Sequence, residues 1–465
     1  LCAPARLVRP TNCEKRQQNV RLLCQNGARC AFFLDKWRRK VYSILKERIG
    51  VFMRTIEEEL IRLFQSGERP SAPMRLGLEL EHFALSAVNG RRLYYDDGVR
   101  AVLEDVAWQF ETCTRFLDGG VSGLFGKDFS LTLEPSAQLE VSIRPVSSVE
   151  EIRQLYDRFA SMLAQPLQKR GVRLVTFGVS PASLASECVL IDKMRYVMMD
   201  RYFRSLGKAP VFMMRQTAST QVSIDYQNEQ DFVDKLRLAS ALSPLIYLMT
   251  ENAPVVEGAP VRGHCPRIWA WRRVEDARTG TLPCVFDDDF GYKRLAQFYA
   301  ALPPIFSASP DGHEIYTGSR PAAEVFDPAA PADARHLLSM AFFDVRVKPF
   351  IEIRMADSMP VDLACAYAAL IKGIFGDEAN VRNWLDRLGC QSAQAVEDVK
   401  TDVMENGWNA SLYGKDMGET ADALFASAAR FLPPEEQALL LPLQRRVQAR
   451  LRLFEPCEEG SHEEV

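Results

Sequence analysis

The chain is poor in histidine and lacks the spaced pairs on which imidazole and thiolate metal chemistry depend. Its five histidines form no H-E-x-x-H or H-x-x-x-H pair, and its eleven cysteines form no C-x-x-C. A zinc-protease helix, a zinc ribbon and a disulfide framework are therefore disfavoured, and the cysteine usage suits a reducing cytosol, giving a cytoplasmic expectation. Long apolar runs are also missing. The longest, such as LASALSPLIYLM, sit among charged neighbours as buried helices would and fall short of the roughly 18 residues a membrane span needs, so no membrane role is expected. No G-x-G-x-x-G follows a strand. GGVSGLFGKDF approaches a phosphate-binding loop through Gly126-Lys127, but Val121 stands where glycine is required and Asp128 where Ser or Thr is required.

Basic charge is scarce outside one end. Residues 1–52 hold 12 Lys/Arg against 3 Asp/Glu, leaving 45 against 58, a net of −13, for the remainder of a chain whose net charge is −4. An acidic body disfavours nucleic-acid binding, which calls for a basic stripe on the folded part. The basic segment 1–52 reads as foreign to the fold, an extension that need not be native, or as a genuine basic arm. From Met53 the run MRTIEEELIRLFQSGERP places Ile56, Leu60, Leu63 and Phe64 on one helical face. Residues 53–455 are expected to form the main body, and 456–465 a disordered acidic tail. At 465 residues, 47% apolar and 25% charged, the chain can bury a substantial core in one large domain or a few smaller ones.

What the chain does have is acids in strands. In RLGLELEHF, Glu79 and Glu81 share one parity and Leu78 and Leu80 the other, and successive strand side chains alternate faces. SLTLEPSAQLEVSIRP, if extended, puts Glu134, Ser136, Gln138 and Glu140 on one face, with Pro135 warning of a bulge or edge. STQVSIDY sets Gln221, Ser223 and Asp225 against Val222 and Ile224, and PFIEIRMAD sets Glu352 and Arg354 against Ile351 and Ile353. Each stretch taken singly fits a half-buried strand with a wet face. Glutamate is depleted in strands, however, so its recurrence carries weight.

Two unit charges roughly 5 Å apart at an effective dielectric of about 20 repel by on the order of 3 kcal/mol. An all-oxygen cluster without His or Cys finds its compensation in a hard divalent cation, Mg²⁺ where phosphates complete the shell. An arginine beside the last glutamate suits a phosphate oxygen. With the common nucleotide loops rejected, any ATP would be held through metal and side chains on a sheet.

Over residues 75–375 these motifs resemble the glutamate–cysteine ligase family of the plant and bacterial type. The similar segments are GLELEHF, LEPSAQLEVS, MMRQTASTQVSIDY, RIWAWRRVEDARTGTLPCVFDDDFG and HLLSMAFFDVRVKPFIEIRMADSMP. The resemblance implies an α+β fold, a curved antiparallel sheet of the glutamine-synthetase type with helices packed on one side. It also implies ATP-dependent ligation of the glutamate γ-carboxylate to cysteine through a γ-glutamyl phosphate, the first step of glutathione synthesis, by a monomer or homodimer whose partners are small molecules. Helices are expected over SSVEEIRQLYDRFASMLAQPLQKRG, with a Ser148/Glu151 capping signal and a stop at Gly171, and through the C-terminal third, including VDLACAYAALIKGIF and ALLLPLQRRVQARLRLF.

Carried over by position, Glu79, Glu81, Glu134, Glu140 and Glu352 would be Mg²⁺ ligands, with Gln221 as a neutral oxygen donor. Arg354 would contact the transferred phosphoryl group. Arg215 would contact a substrate carboxylate or phosphate, or else make a structural ion pair. Arg267 and Trp269 would line the amino-acid pocket, the tryptophan equally fitting core packing. Arg278 would bind substrate or fix a turn with Asp276. Asp287, Asp288 and Asp289 read first as a solvated turn, His82 and His336 as structural, and Cys265 as non-catalytic. Ser136-Ala137 replaces the family's Gly-Gly, Ser223 replaces Asn, and the segment between Trp and Asp is longer. These departures border the expected site and leave room for another amine acceptor in a related carboxylate–amine ligase; from another class comes a catalytically silent protein that binds ATP or an amino acid.

Overall fold

The computed structural model describes residues 55–207, 211–308, 314–326, 332–390 and 392–457. The basic segment and most of the acidic tail lie outside the described residues.

The alternation read from the sequence becomes an open sheet of nine strands. We label them β1 (Leu76–Ser86), β2 (Thr112–Arg115), β3 (Val121–Phe125), β4 (Phe129–Leu133), β5 (Leu139–Val146), β6 (Val172–Val175), β7 (Thr220–Ile224), β8 (Val345–Lys348) and β9 (Phe350–Ile353). Their order is β8-β9-β7-β1-β5-β4-β3-β2, with β6 pairing the far end of β1. All these pairings are antiparallel. Register carries the alternation from strand to strand. Leu78 faces Ile143 and Val222, and Leu80 faces Val141, so one side of the central strands is aliphatic and buried. The helices Val149–Arg170, Glu229–Met249 and Val361–Phe375 pack against the sheet. His82 belongs to the aliphatic parity, and its ring lies on those of Tyr156 and Phe159 from the first of these helices. The α+β class with helices on one side is thus the observed one.

Two local expectations change. SLTLEPSAQLEVSIRP is not one strand but the β4–β5 hairpin, in which Thr132 stands opposite Glu140. The chain turns through residues 134–138, where Ala137 adopts φ 60°, the left-handed region that suits the family's glycine better. Proline breaks the ladder here instead of marking a bulge within it. The Val149–Arg170 helix does stop at Gly171 in the left-handed conformation, but Ser148 makes no side-chain cap. Glu151 is engaged by Arg144 at 2.5 Å, and the Val149 amide is taken by the Glu436 carboxylate at 3.0 Å, a tertiary cap invisible to local sequence.

The first helix forms as its apolar spacing predicts. Thr55 and Glu58 form a reciprocal cap on the helix Ile56–Gln65, whose Ile56, Leu60, Leu63 and Phe64 are buried. The near-match to a phosphate loop lies in the β3–β4 hairpin, with Asp128 paired to Arg144 and Arg158. Among the described residues, no helix is long and apolar enough to cross a membrane.

Candidate active site on the polar face of the sheet

Glu79 and Glu81 project from the side of β1 opposite its leucines, and the neighbouring strands supply matching polar residues. Glu79 stands opposite Gln221 on β7 and Ser142 on β5, Glu81 opposite Glu140, and Glu352 on β9 opposite Ser223. The period of two thus collects Glu79, Glu81, Glu140, Gln221 and Glu352 on one face. Glu134, in the β4–β5 turn, is near enough to raise the pKa of both Glu81 and Glu140.

These carboxylates differ in how their charge is met. Burial, then the charges of Glu140 and Glu352, pushes Glu79 up to about 7. Burial, then Glu134 and Glu140, pushes Glu81 up to about 8 against the opposing pull of Arg267. Glu140 is raised by burial and by Glu134. For all three, repulsion and desolvation outweigh the compensation the protein provides. The hydrogen-bond donors to Glu81 and Glu140 are neutral: Glu81 takes the Ser219 amide and hydroxyl, both at 2.9 Å, and the Gln221 amide at 3.0 Å. Glu140 takes the hydroxyls of Thr132 at 2.9 Å and Ser142 at 2.8 Å.

Glu352 stands in a setting other than the one expected of a metal ligand. Its fully buried carboxylate is met by Arg346 at 2.5 Å, Lys348 at 2.7 Å and Arg354 at 2.8 Å. Although burial opposes its charge, the three cations hold its pKa well below the usual carboxylate range. The outcome is a cationic corner on β8 and β9 beside an acidic centre on β1 and β5. Sequence reasoning missed Arg346 and Lys348. Their signal was the alternation in VRVK, which places both on the polar parity of β8 while Val345 and Val347 are buried. Gln221 offers its oxygen to Arg354 at 2.5 Å, joining the two regions.

Of the expected contacts to substrate, two arginines are corrected. Arg278 is fully buried; its guanidinium pairs with Glu275 and donates to Met340 O at 2.8 Å and Pro303 O at 3.1 Å. It fixes a turn, as the second alternative had it, but with Glu275 in place of Asp276, because position i−3 rather than i−2 lies under its side chain. Arg267 is also buried and pairs with Asp357 at 3.2 Å, while donating to Met355 O at 2.8 Å and Ala356 O at 2.9 Å. It buttresses the chain just beyond Arg354 instead of lining an open pocket. Trp269, on the same helix, Pro266–Arg272, is 43% exposed and packs edge-on against Phe212. Arg215 makes the ion-pair alternative, to Asp200 at 3.4 Å, and donates to Cys188 O, leaving its buried Nε without a protein partner. Asp287 pairs with Arg294 in a turn. His82 bonds Leu139 O and the Tyr156 hydroxyl, and burial lowers its pKa to about 4.

A further cation stands at the acidic edge. Lys193 donates to Leu133 O at 2.9 Å, beside the Tyr196 hydroxyl on the same oxygen. Burial lowers its pKa and the carboxylate of Glu134 opposes that shift. Two cavities lie elsewhere, one of about 340 Å³ beside Arg69 and Asp225 and one of about 520 Å³ beside Lys127 and Arg158. Charge convergence on the sheet, not cavity size, identifies the site.

Comparison with known proteins points to one family. The chloroplastic glutamate–cysteine ligase B of Oryza sativa subsp. japonica is 27% identical over 375 residues, covering 78% of this chain and 75% of that protein. The chloroplastic glutamate–cysteine ligase of Arabidopsis thaliana is 28% identical over 338 residues, covering 71% and 64%. The crystal structure of a glutamate–cysteine ligase from Francisella tularensis in complex with AMP shares the fold, with a TM-score of 0.50, 12% identity, and coverage of 82% of this chain and 83% of that one. The model of glutamate–cysteine ligase family 2 matches residues 75–448, from the strand that carries Glu79 and Glu81 through the C-terminal helices, and the chain belongs to that family.

Proposed function

We propose that this chain joins the γ-carboxylate of L-glutamate to the amine of L-cysteine at the expense of ATP, making γ-glutamylcysteine, the first step of glutathione synthesis. The observation that carries the reading is the juxtaposition of uncompensated acids and clustered cations on one face of the sheet. The reaction brings an anionic carboxylate to an anionic triphosphate, so its main barrier is charge. A γ-carboxylate oxygen forms a bond to the γ-phosphorus as the bond to ADP breaks. The amine nitrogen then bonds to the acyl carbon, and phosphate leaves with the former carboxylate oxygen, taking up the proton the amine loses.

Arg354, Arg346 and Lys348 are positioned to meet negative charge, and Glu352 holds them together until phosphate oxygens arrive. Magnesium is part of the proposal, and the donor set fits it. Glu79, Glu81, Glu134 and Glu140 offer only oxygen, and the raised pKa values of Glu79 and Glu81 show charge that the protein leaves uncompensated. Among the described residues, no three acidic, histidine or cysteine side chains already form a metal-holding group. Glu81 and Glu140 would therefore exchange Ser219, Gln221, Thr132 or Ser142 donors for the ion. When bound, Mg²⁺ supplies charge neutralisation between phosphate oxygens. Glu352, already neutralised by three cations, we assign to holding Arg354 and not to the metal. Arg215, with its unpartnered Nε, is retained as a contact for a substrate anion, and Lys193 joins it. A cytoplasmic location is likewise proposed, supported by the free state of the described cysteines; the plant relatives named above are chloroplastic.

The substitutions around the turn at Ser136 and Ala137 favour testing other acceptors. Purified protein given ATP and Mg²⁺ is expected to release phosphate when glutamate and cysteine are both present. Release with another amine in preference to cysteine would reassign the acceptor, and no release with any amine would overturn the ligase reading.

A further inference from the structure

We propose that Lys400 is a positioning residue for the reaction, fixing the root of the β8–β9 hairpin and, through it, Arg346, Lys348 and Arg354. The inference rests on the ligase reading for its effect on rate, and on geometry alone for its effect on the hairpin. Lys400 lies on the helix Ala393–Asn406, remote in sequence from every motif discussed above, and is 1% exposed. Its ammonium has three protein acceptors: the Asp344 carboxylate, the Thr281 hydroxyl at 2.9 Å and the Glu397 carboxylate at 2.5 Å. The donor capacity of a lysine is thereby filled.

Asp344 is the residue from which β8 begins. Its second carboxylate oxygen accepts from the Tyr247 hydroxyl at 2.8 Å, its amide donates to Gly280 O at 2.9 Å, and its own carbonyl accepts the Arg354 amide at 2.9 Å. The last bond closes the hairpin on the proposed phosphoryl contact. Glu397 in turn accepts from Arg272 at 2.9 Å and from the Thr281 amide and hydroxyl at 2.9 and 2.7 Å. Two helices, Glu229–Met249 through Tyr247 and Ala393–Asn406 through Lys400, thus converge on one carboxylate at the start of β8, and a third, Pro266–Arg272, braces the cluster through Arg272 on Glu397. At the same end of the hairpin the outgoing chain beyond β9 is held separately, by Arg267 on Met355 O, Ala356 O and Asp357.

A buried charge is a costly way to fasten a helix to a sheet, since an apolar residue of similar volume would do so at no desolvation penalty. Directional bonds add what apolar contact lacks, a fixed position for the strand root. Three cations meeting one carboxylate repel one another, and a loose root would let them spread. A misplacement of about 1 Å near the reacting groups can cost on the order of 100-fold in rate.

The test compares wild type with Lys400→Met and Asp344→Asn by hydrogen exchange and by steady-state kinetics. Amides of β8 and β9 are expected to exchange at least about 10-fold faster in both variants, with those of β5 unchanged. kcat should fall about 10- to 100-fold with the KM for glutamate altered less than about 3-fold, a split that simple loss of folded protein would not produce in company with a local exchange signature. Unchanged exchange in the hairpin overturns the anchor whether or not the protein is active. A loosened hairpin with unchanged kcat overturns the link to catalysis. Wild type that releases no phosphate with any amine would sink the ligase reading, and the exchange comparison would still decide the anchor. Should Lys400→Met fail to fold, Asp344→Asn, which keeps side-chain volume and the Tyr247 acceptor, decides alone.

Discussion

Glu352 is where composition and contact part company. Read along the strand it is one more acid of the cluster, yet three cations surround it and its charge is the best compensated on the face. Glu352→Gln would leave Arg346, Lys348 and Arg354 facing one another without a counter-charge. We expect a loss of about 3 kcal/mol in stability by denaturant titration and a fall in kcat of about 100-fold, with ATP restoring part of the stability. A metal ligand exposed to exchange would show the opposite pattern, nearly normal stability and a raised Mg²⁺ requirement. Arg267 and Arg278 make the same point. An arginine beside a tryptophan or a turn reads as a recognition group, and only burial shows that its donors are already spent on backbone carbonyls.

At the scale of elements, the site depends on how loops meet the ends of strands. Gly178 lies against Asp357, just past β9, where a Cβ would sit 2.1 Å from the carboxylate. Asp357 cannot retreat freely, being held by Arg267 and by the Asn252 amide at 2.7 Å. Gly178→Ala should therefore cost about 2 kcal/mol, measured as a lower unfolding midpoint, and should slow turnover because the displaced segment carries Arg354 at its start. The Lys400 cluster has a pH signature as well. Lys400 and other donors, acting against burial, depress the Glu397 pKa from its ordinary 4.5 to about 2. A depressed folded pKa contributes stability above the unfolded value, and that contribution disappears as pH falls from about 4.5 toward 2. Glu397→Gln is expected to destabilise the protein by up to about 3 kcal/mol at neutral pH. The difference from wild type should shrink on acidification across that window, and a difference that grew would contradict the pairing.

For the whole molecule the organising fact is a sheet with two unlike sides, aliphatic toward the helices and charged on the other. Binding an ion to the acidic centre should stabilise the entire fold. At about ten times its Kd, Mg²⁺ contributes roughly 1.4 kcal/mol, or about 2 °C in Tm for a chain of this size. Glu81→Gln is expected to lose that increment, and an equal Mg²⁺ shift in wild type and variant would place the ion elsewhere. Much of this face was legible in the sequence. Side-chain alternation is a local property of extended backbone, so the runs holding Glu79 and Glu81, or Glu352 and Arg354, already declared which residues share a side. The motifs declared the family. Register and burial are not local. They decided that Glu81 stands opposite Glu140, that SLTLEPSAQLEVSIRP folds back on itself at Pro135, that Glu352 serves a cationic corner, and that a lysine from the C-terminal helices holds its root. A strand's own residues choose its faces, but its neighbours are chosen by the packing of the whole chain, and charge compensation belongs to neighbours.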